Sequence, residues 1–316
     1  MSAASGQRRV VVTGATGCIG RHAVPALVAG GWEVHAVSSR PQDEAATPGV
    51  RWHAADLLQP QAAADLAKAC GASHLLHLAW YIAPGKWAAA RENYWWVEAS
   101  LRLIRAFHEA GGQRVVVAGS CLEYDWRYGF CHEQLTPREP HTFYGTCKHS
   151  VQRLLDGYAS VVNLSWAWAR IFFLYGPWEH TERLVAAVSR ALVVGEPART
   201  SHGRQVRDYL HAADVAEALV TLLASDLTGT INVASGEAVT LKHIIERLGA
   251  IAGRPELLHI GAIPPAPTDT ALVVANVARL TNELQWRPRI GLDEGLASTL
   301  EWWRRQLRQE TQGARR

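Results

Sequence analysis

Residues 10–20, Val-Val-Val-Thr-Gly-Ala-Thr-Gly-Cys-Ile-Gly, constrain this chain more than any other stretch. The β-branched run Val10-Val11-Val12 predicts a strand buried on both faces, and residues 22–29 carry apolar periodicity that predicts a helix. Between them stand three glycines spaced G-x-x-G-x-x-G. Gly14 permits a tight turn, Gly17 lets the backbone approach a pyrophosphate, and Gly20 lets the helix pack closely. A helix N-terminus then presents free N–H groups and a positive dipole end to phosphate. An ordinary strand–helix turn is the alternative, but the flanks are right on both sides. The loop, with Thr13, Thr16, Cys18 and Ile19 beside its glycines, is therefore a candidate dinucleotide site.

The chain of 316 residues has core enough for one large α/β domain or two smaller ones. A net charge of +3, with no basic cluster interleaved with aromatics, argues against nucleic-acid binding. A short polar start and the lack of any long apolar run lead us to expect no signal peptide and no membrane span. The 5 cysteines, Cys18, Cys70, Cys121, Cys131 and Cys147, form no C-x-x-C pair, which suggests a reducing cytoplasmic setting and no metal site.

Strands are expected at residues 32–37, 50–53, 73–79, 114–118, 164–173 and 230–233. Helices are expected at 60–69, 92–110, 144–159, 184–194, 213–224 and 241–251. The fold class is α/β: a Rossmann-type doubly wound parallel sheet with a smaller C-terminal substrate-binding lobe. We expect the dinucleotide domain over 8–172, completed by 205–235, and the substrate lobe over 173–204 and 236–310. Residues 1–7 and 311–316 are expected to be disordered tails.

NAD-binding units close their second strand with an acid that bonds the ribose 2′-hydroxyl. Here that place is Ser38, followed by Ser39 and Arg40, a set suited to a 2′-phosphate unless it is merely a solvated loop. NADP is therefore the expected cofactor, with NAD the alternative. Asp56, before Leu57, either accepts a bond from adenine or caps a helix. His77-Leu78-Ala79-Trp80 should line the cleft. Ser120 ends the central fifth strand, facing the crevice where open α/β sheets bind ligands. Tyr144 and Lys148 stand four apart on one helix face. With 8 tyrosines and only Lys68, Lys86, Lys148 and Lys242 as lysines, chance gives such a pair about one time in ten. Helix 92–110 is apolar on more than one face, as an interface helix or a deeply buried one would be.

Together, Thr13-Gly14-x-x-Gly17-x-x-Gly20, Asp56-Leu57, His77-Leu78-Ala79, Ser120, Tyr144-x-x-x-Lys148, Arg170 with Tyr175-Gly176-Pro177, and Arg207-Asp208-Tyr209-Leu210-His211 resemble the extended short-chain dehydrogenase/reductase family. The likeness is strongest to its nucleotide-sugar epimerases, dehydratases and 4-ketoreductases, and runs over residues 9–302. It implies that Tyr144 moves the proton, that Lys148 lowers the phenol pKa and binds the nicotinamide ribose, and that Ser120 bonds the same substrate oxygen. Arg207 is implied to grip a nucleotide-sugar diphosphate, and the assembly to be a homodimer through helices 92–110 and 144–159. Family dehydratases carry Asp-Glu directly after the serine, and here Cys121 and Leu122 stand there. Glu123 is one place late. Trp80, Cys121, Glu123 and Phe173, with Arg207, are the candidate substrate contacts, and Tyr81, Trp87, Tyr124, Trp126 and Trp178 are either pocket walls or core.

The expected function is NADP-dependent reduction of a 4-keto-6-deoxyhexose carried on a nucleotide. A C4 epimerase holding NAD needs only Tyr144, Lys148 and a dinucleotide, and is the alternative. A non-catalytic NADP-binding regulator on the same fold is the third reading.

Overall fold

The computed structural model describes residues 8–43, 47–83, 85–265 and 270–313. The expected tail 1–7, residues 314–316 and Pro267 lie outside them. Seven parallel strands form the central sheet: β1 (Arg9–Thr13), β2 (Glu33–Ser38), β3 (Val50–Ala54), β4 (His74–His77), β5 (Arg114–Ser120), β6 (Ser165–Ile171) and β7 (Gly229–Val233). Their spatial order is 3-2-1-4-5-6-7, with the order reversing between β1 and β4. That reversal opens a crevice beyond the strands' carboxyl ends, where doubly wound sheets bind ligands.

Both faces are covered, as the continuous β-branched runs require. Helices α1 (Gly20–Ala29) and α6 (Ala212–Ala224) pack on one face over Val10, Val12, Ala36, Val116 and Ile231. Helices α2 (Ala62–Cys70), α3 (Glu92–Glu109) and α4 (Phe143–Val162) cover the other over Val11, Leu75, Val115 and Trp168. Helices α5 (Leu184–Val194), α7 (Leu241–Ala252) and α8 (Leu292–Gly313) enclose a separate apolar cluster that includes Val185, Ile244, Leu248 and Leu296. No helix among the described residues is long and apolar enough to cross a membrane.

Two expectations need correction. The strand expected over 164–173 stops at Ile171, and Phe173–Tyr175 leaves the sheet to pair in parallel with Tyr209–His211. That local pairing brings the Tyr-Gly-Pro and Arg-Asp-Tyr segments together. Helix α8 runs to Gly313, so residues 311–313 are helical, where a disordered tail was expected.

Candidate active site

The glycine turn has the shape its sequence dictates. Gly14 sits at φ +66°, and a Cβ there would come within 2.8 Å of the Ala79 nitrogen. A Cβ on Gly20 would strike the carbonyls of Gly14 and Ala15. α1 begins with no side-chain cap; the Gly17 and Ile19 carbonyls take the Arg21 and His22 amides, and the amides of Cys18, Ile19 and Gly20 face the turn where an anion would sit. The cradle fits a dinucleotide pyrophosphate.

Thr13 contributes from behind. It is fully buried, and its hydroxyl accepts the Leu78 and Ala79 amides at 3.2 Å each, tying the ends of β1 and β4 together. His77 turns inward as well, bonding Thr13 Oγ1 at 2.7 Å and Ser100 Oγ at 2.9 Å. Burial, and then the Lys148 charge, lower its pKa to about 3, so it is neutral and does not line the cleft. Leu57 is buried, whereas Asp56 is exposed and accepts the Leu58 amide at 3.1 Å, the turn-capping option. At the end of β2, the buried Ser38 accepts the Arg40 amide at 3.2 Å, and Ser39 and Arg40 are exposed.

Ser120 ends β5 and caps the 3-10 turn Cys121–Glu123. The Ser120 side chain lies near enough to the Tyr144 phenol to lower its pKa, so the two groups face one another across the crevice. Tyr144 lies in the first turn of α4, whose N-cap Thr142 accepts the Gly145 amide at 3.0 Å. A Cβ on Gly145 would strike the Leu122 carbonyl, so this glycine sets how closely α4 meets the serine turn. Trp80 and Trp87 stand edge-on to the Tyr144 ring at 6.2 and 5.1 Å. Lys148 is buried, donates to the Ala118 carbonyl at 2.8 Å, and lies 3.9 Å from the Trp80 ring centroid.

Burial is the main force on both Tyr144 and Lys148, and it acts oppositely on an acid and a cation. It pushes the Tyr144 phenol up, helped by the Glu123 charge and opposed by the Ser120 hydrogen bond. It brings Lys148 down to about 7, with Glu123 acting the other way. The Lys148 ammonium lies 5.9 Å from the Tyr144 ring centroid while bonded to Ala118 and set against Trp80, and burial outweighs the charges around the phenol.

Two of the expected substrate contacts belong to the core. Glu123 is fully buried: its carboxylate accepts the Ser120 amide at 2.7 Å, the Trp168 indole at 2.9 and 3.0 Å, and Arg170 Nε at 2.8 Å. The short turn after β5 points it inward, where strand alternation alone would not have. Cys121 packs with Tyr124, Cys131 and Phe172, and burial pushes its thiol far up, which disfavours the thiolate. Tyr124 is core too, donating to Asn232 at 2.8 Å. Trp178 leaves the pocket to cover Arg21 at 4.3 Å and Trp302 at 5.1 Å. Phe173 and Trp126 remain together 6.0 Å apart, with the buried Arg207 guanidinium against both rings at 5.4 and 5.8 Å.

Sequence reasoning missed Glu179. It is buried, its Oε2 has no hydrogen-bond partner among the described residues, and burial brings its carboxyl up to about 8. Its place directly after Gly176-Pro177-Trp178 was the only signal. It acts electrostatically on Cys18, whose thiol donates to the Pro177 carbonyl at 3.5 Å.

The profile of the NAD dependent epimerase/dehydratase family matches residues 10–234, the glycine turn, Ser120, Tyr144 and Lys148 included. The chain belongs to this family. A dTDP-glucose 4,6-dehydratase of Xanthomonas campestris is 26% identical over 54% of this chain, and the chain spans about half of it, 51%. A UDP-glucose 4-epimerase of Rhizobium meliloti is 26% identical over 93% of this chain and 96% of its own. The solved structure of MoeE5 in complex with UDP-glucose and NAD is 31% identical, covering 96% of this chain and 100% of that one, with a TM-score of 0.81. Within the NAD dependent epimerase/dehydratase family, this chain has the Ser-Tyr-Lys set but not the dehydratase pair.

Proposed function

We propose that the chain is a nucleotide-sugar 4-epimerase acting on a UDP-hexose such as UDP-glucose or UDP-glucuronic acid. The observation that carries this is the Ser120–Tyr144–Lys148 cluster, with the buried Cys121 and the half-buried Leu122 where water elimination needs an acid and a base. The full-length likeness to an epimerase, and a 31% identical structure holding UDP-glucose and NAD, support the same reading.

A nicotinamide held in the crevice would supply hydride acceptance and return at C4. Tyr144 takes the proton from the C4 hydroxyl and returns it to the same oxygen once the sugar has turned its opposite face to the cofactor, with Ser120 holding that oxygen. A phenol raised by burial needs help to ionise, and the Lys148 ammonium supplies it once turned from Trp80 towards the ligand. Arg207 presents its guanidinium to the diphosphate, and Trp126 and Phe173 hold its plane. The amides at the start of α1 bind the cofactor pyrophosphate, and Trp80 and Trp87 exclude water around the phenol. Asp56, Leu57, Leu78 and Ala79 shape the adenosine side of the crevice.

NADPH-dependent reduction of a 4-keto-6-deoxyhexose, the function the sequence reading put first, stands second. One observation favours it: Ser38, Ser39 and the exposed Arg40 end β2 where an NAD site carries an acid. Arg40→Ala is expected to weaken NADPH by about 1.5–3 kcal/mol and leave NADH nearly unchanged. Titrating both cofactors into both proteins measures this, and equal losses refute a 2′-phosphate contact.

The decisive assay supplies UDP-glucose without added cofactor and follows its C4 epimer. Absence of the epimer, together with NADPH oxidation on a nucleotide-linked 4-ketohexose, would replace the epimerase with the reductase.

A homodimer belongs to the same proposal. Tyr94 and Trp95 on α3, and Leu154 and Val161 on α4, are exposed on adjacent packed helices. Paired across a two-fold axis, these helices form a four-helix bundle. Light scattering should give twice the chain mass at micromolar concentration and a monomer for Leu154→Glu. A monomeric unmodified chain would refute it.

A further inference from the structure

Away from the crevice, the outer strands β2 and β3 and the end of α2 bring three ligand-bearing side chains to one point. His35 and His53 lie on the same face of the sheet, because β2 and β3 pair His35 with Arg51 and Val37 with His53. Cys70, the last residue of α2, closes over them. His35 Nδ1 is 2.9 Å from His53 Nε2, and Cys70 Sγ is 3.6 Å from the same nitrogen. All three donor atoms lie within 4.8 Å of one another.

Tetrahedral zinc with bonds of ~2.05 Å to nitrogen and ~2.3 Å to sulfur holds N···N pairs at about 3.3 Å and N···S pairs at about 3.6 Å. The His35–His53 pair needs only a few tenths of an ångström of opening, the His53–Cys70 pair already matches, and the His35–Cys70 pair stands within 4.8 Å. A further feature sets the cluster apart from a chance histidine pair. His35 Nε2 faces Glu33 Oε1 at 3.3 Å, so the ring's far nitrogen bonds a carboxylate. That contact fixes the tautomer that presents Nδ1 as a ligand and raises its basicity, as outer carboxylates do in zinc proteins. Glu33 is itself held by Arg9 at 3.1 Å.

We propose that His35, His53 and Cys70 form a three-ligand site for a divalent cation of the zinc class, with Glu33 as its outer carboxylate. Two imidazoles and a thiol select zinc or cobalt over magnesium or calcium, which take oxygen ligands. On binding, the Cys70 proton is released to solvent and the sulfur–metal bond forms, with no change of oxidation state. The fourth position is left for water. The site joins β3 and α2 to β2 just before Ser38, and Ser38 pairs with Ala54 one step beyond His53. The ion would therefore brace the strand end that carries Ser39 and Arg40. Cysteine spacing gives no hint of it, because the ligands come from three separate elements.

The test titrates the untagged, metal-free full chain with Co²⁺ and follows thiolate-to-cobalt charge transfer, then displaces cobalt with Zn²⁺. The expected result is one cobalt per chain, with the band lost in Cys70→Ser and retained in Cys147→Ser. Glu33→Gln should weaken zinc roughly 10–100-fold while keeping the band. Should Cys70→Ser fail to fold, His53→Gln takes its place and should lose at least tenfold in affinity. No charge-transfer band, or one that survives both Cys70→Ser and His53→Gln, would show a hydrogen-bonded core cluster and overturn the proposal.

Discussion

Replacing Tyr144 by phenylalanine is expected to lower turnover by roughly 10²–10⁴-fold while dinucleotide affinity stays within about twofold. The change removes one hydroxyl and keeps the ring that Trp80 and Trp87 hold edge-on. The fold of α4 and the position of Lys148 therefore survive it. What is lost is the group proposed to exchange the C4 proton, whose pKa the Ser120 side chain lowers. Lys148→Ala should behave differently. Its ammonium is buried against the Ala118 carbonyl and the Trp80 ring, so truncation leaves a cavity and weakens both binding and turnover. Initial rates with and without saturating dinucleotide, beside direct cofactor titration, separate the two effects. Turnover of Tyr144→Phe within tenfold of the unmodified chain would remove Tyr144 from the chemistry.

Removing the Glu123 carboxylate is expected to cost about 3–5 kcal/mol of stability, because it leaves the Arg170 guanidinium buried and uncompensated. Arg170 is 1% exposed and Glu123 is 0% exposed, so neither charge is relieved by solvent. The carboxylate also receives the Trp168 indole and the Ser120 amide, which raises the loss. Glu123→Ala should shift the urea midpoint accordingly. Adding Arg170→Met should recover part of the shift, since no buried charge then remains. A loss below 1 kcal/mol, or no recovery in the double variant, would show that the buried Glu123–Arg170 pair does not hold this turn. The consequence for the site is positional: this network fixes the turn that carries Ser120.

Much of the fold was legible because it rests on local rules. β-branched runs, helical periodicity and the glycine triplet each report their own element, and the parallel sheet follows from strands alternating with helices. The Tyr144–Lys148 pair was legible for the same reason, since four residues along a helix always share a face. Glu123 was misplaced because a 3-10 turn, rather than strand continuation, follows β5, and no local pattern announces that turn. The Tyr144–Lys148 pair was legible, but the bond of the Lys148 ammonium to Ala118 and its place against Trp80 were not, since other elements contribute them.

The amino-acid sequence by itself determined the strand order's starting motif, the cofactor cradle, the Ser-Tyr-Lys identity of the site and the absence of a dehydratase pair. These depend on residue type and short spacing. Only the tertiary structure decided which charges are buried, which tryptophans wall the pocket, and that His35, His53 and Cys70 meet. These depend on how distant elements pack, where burial sets both the contacts and the pKa values, and short-range periodicity carries no record of that packing.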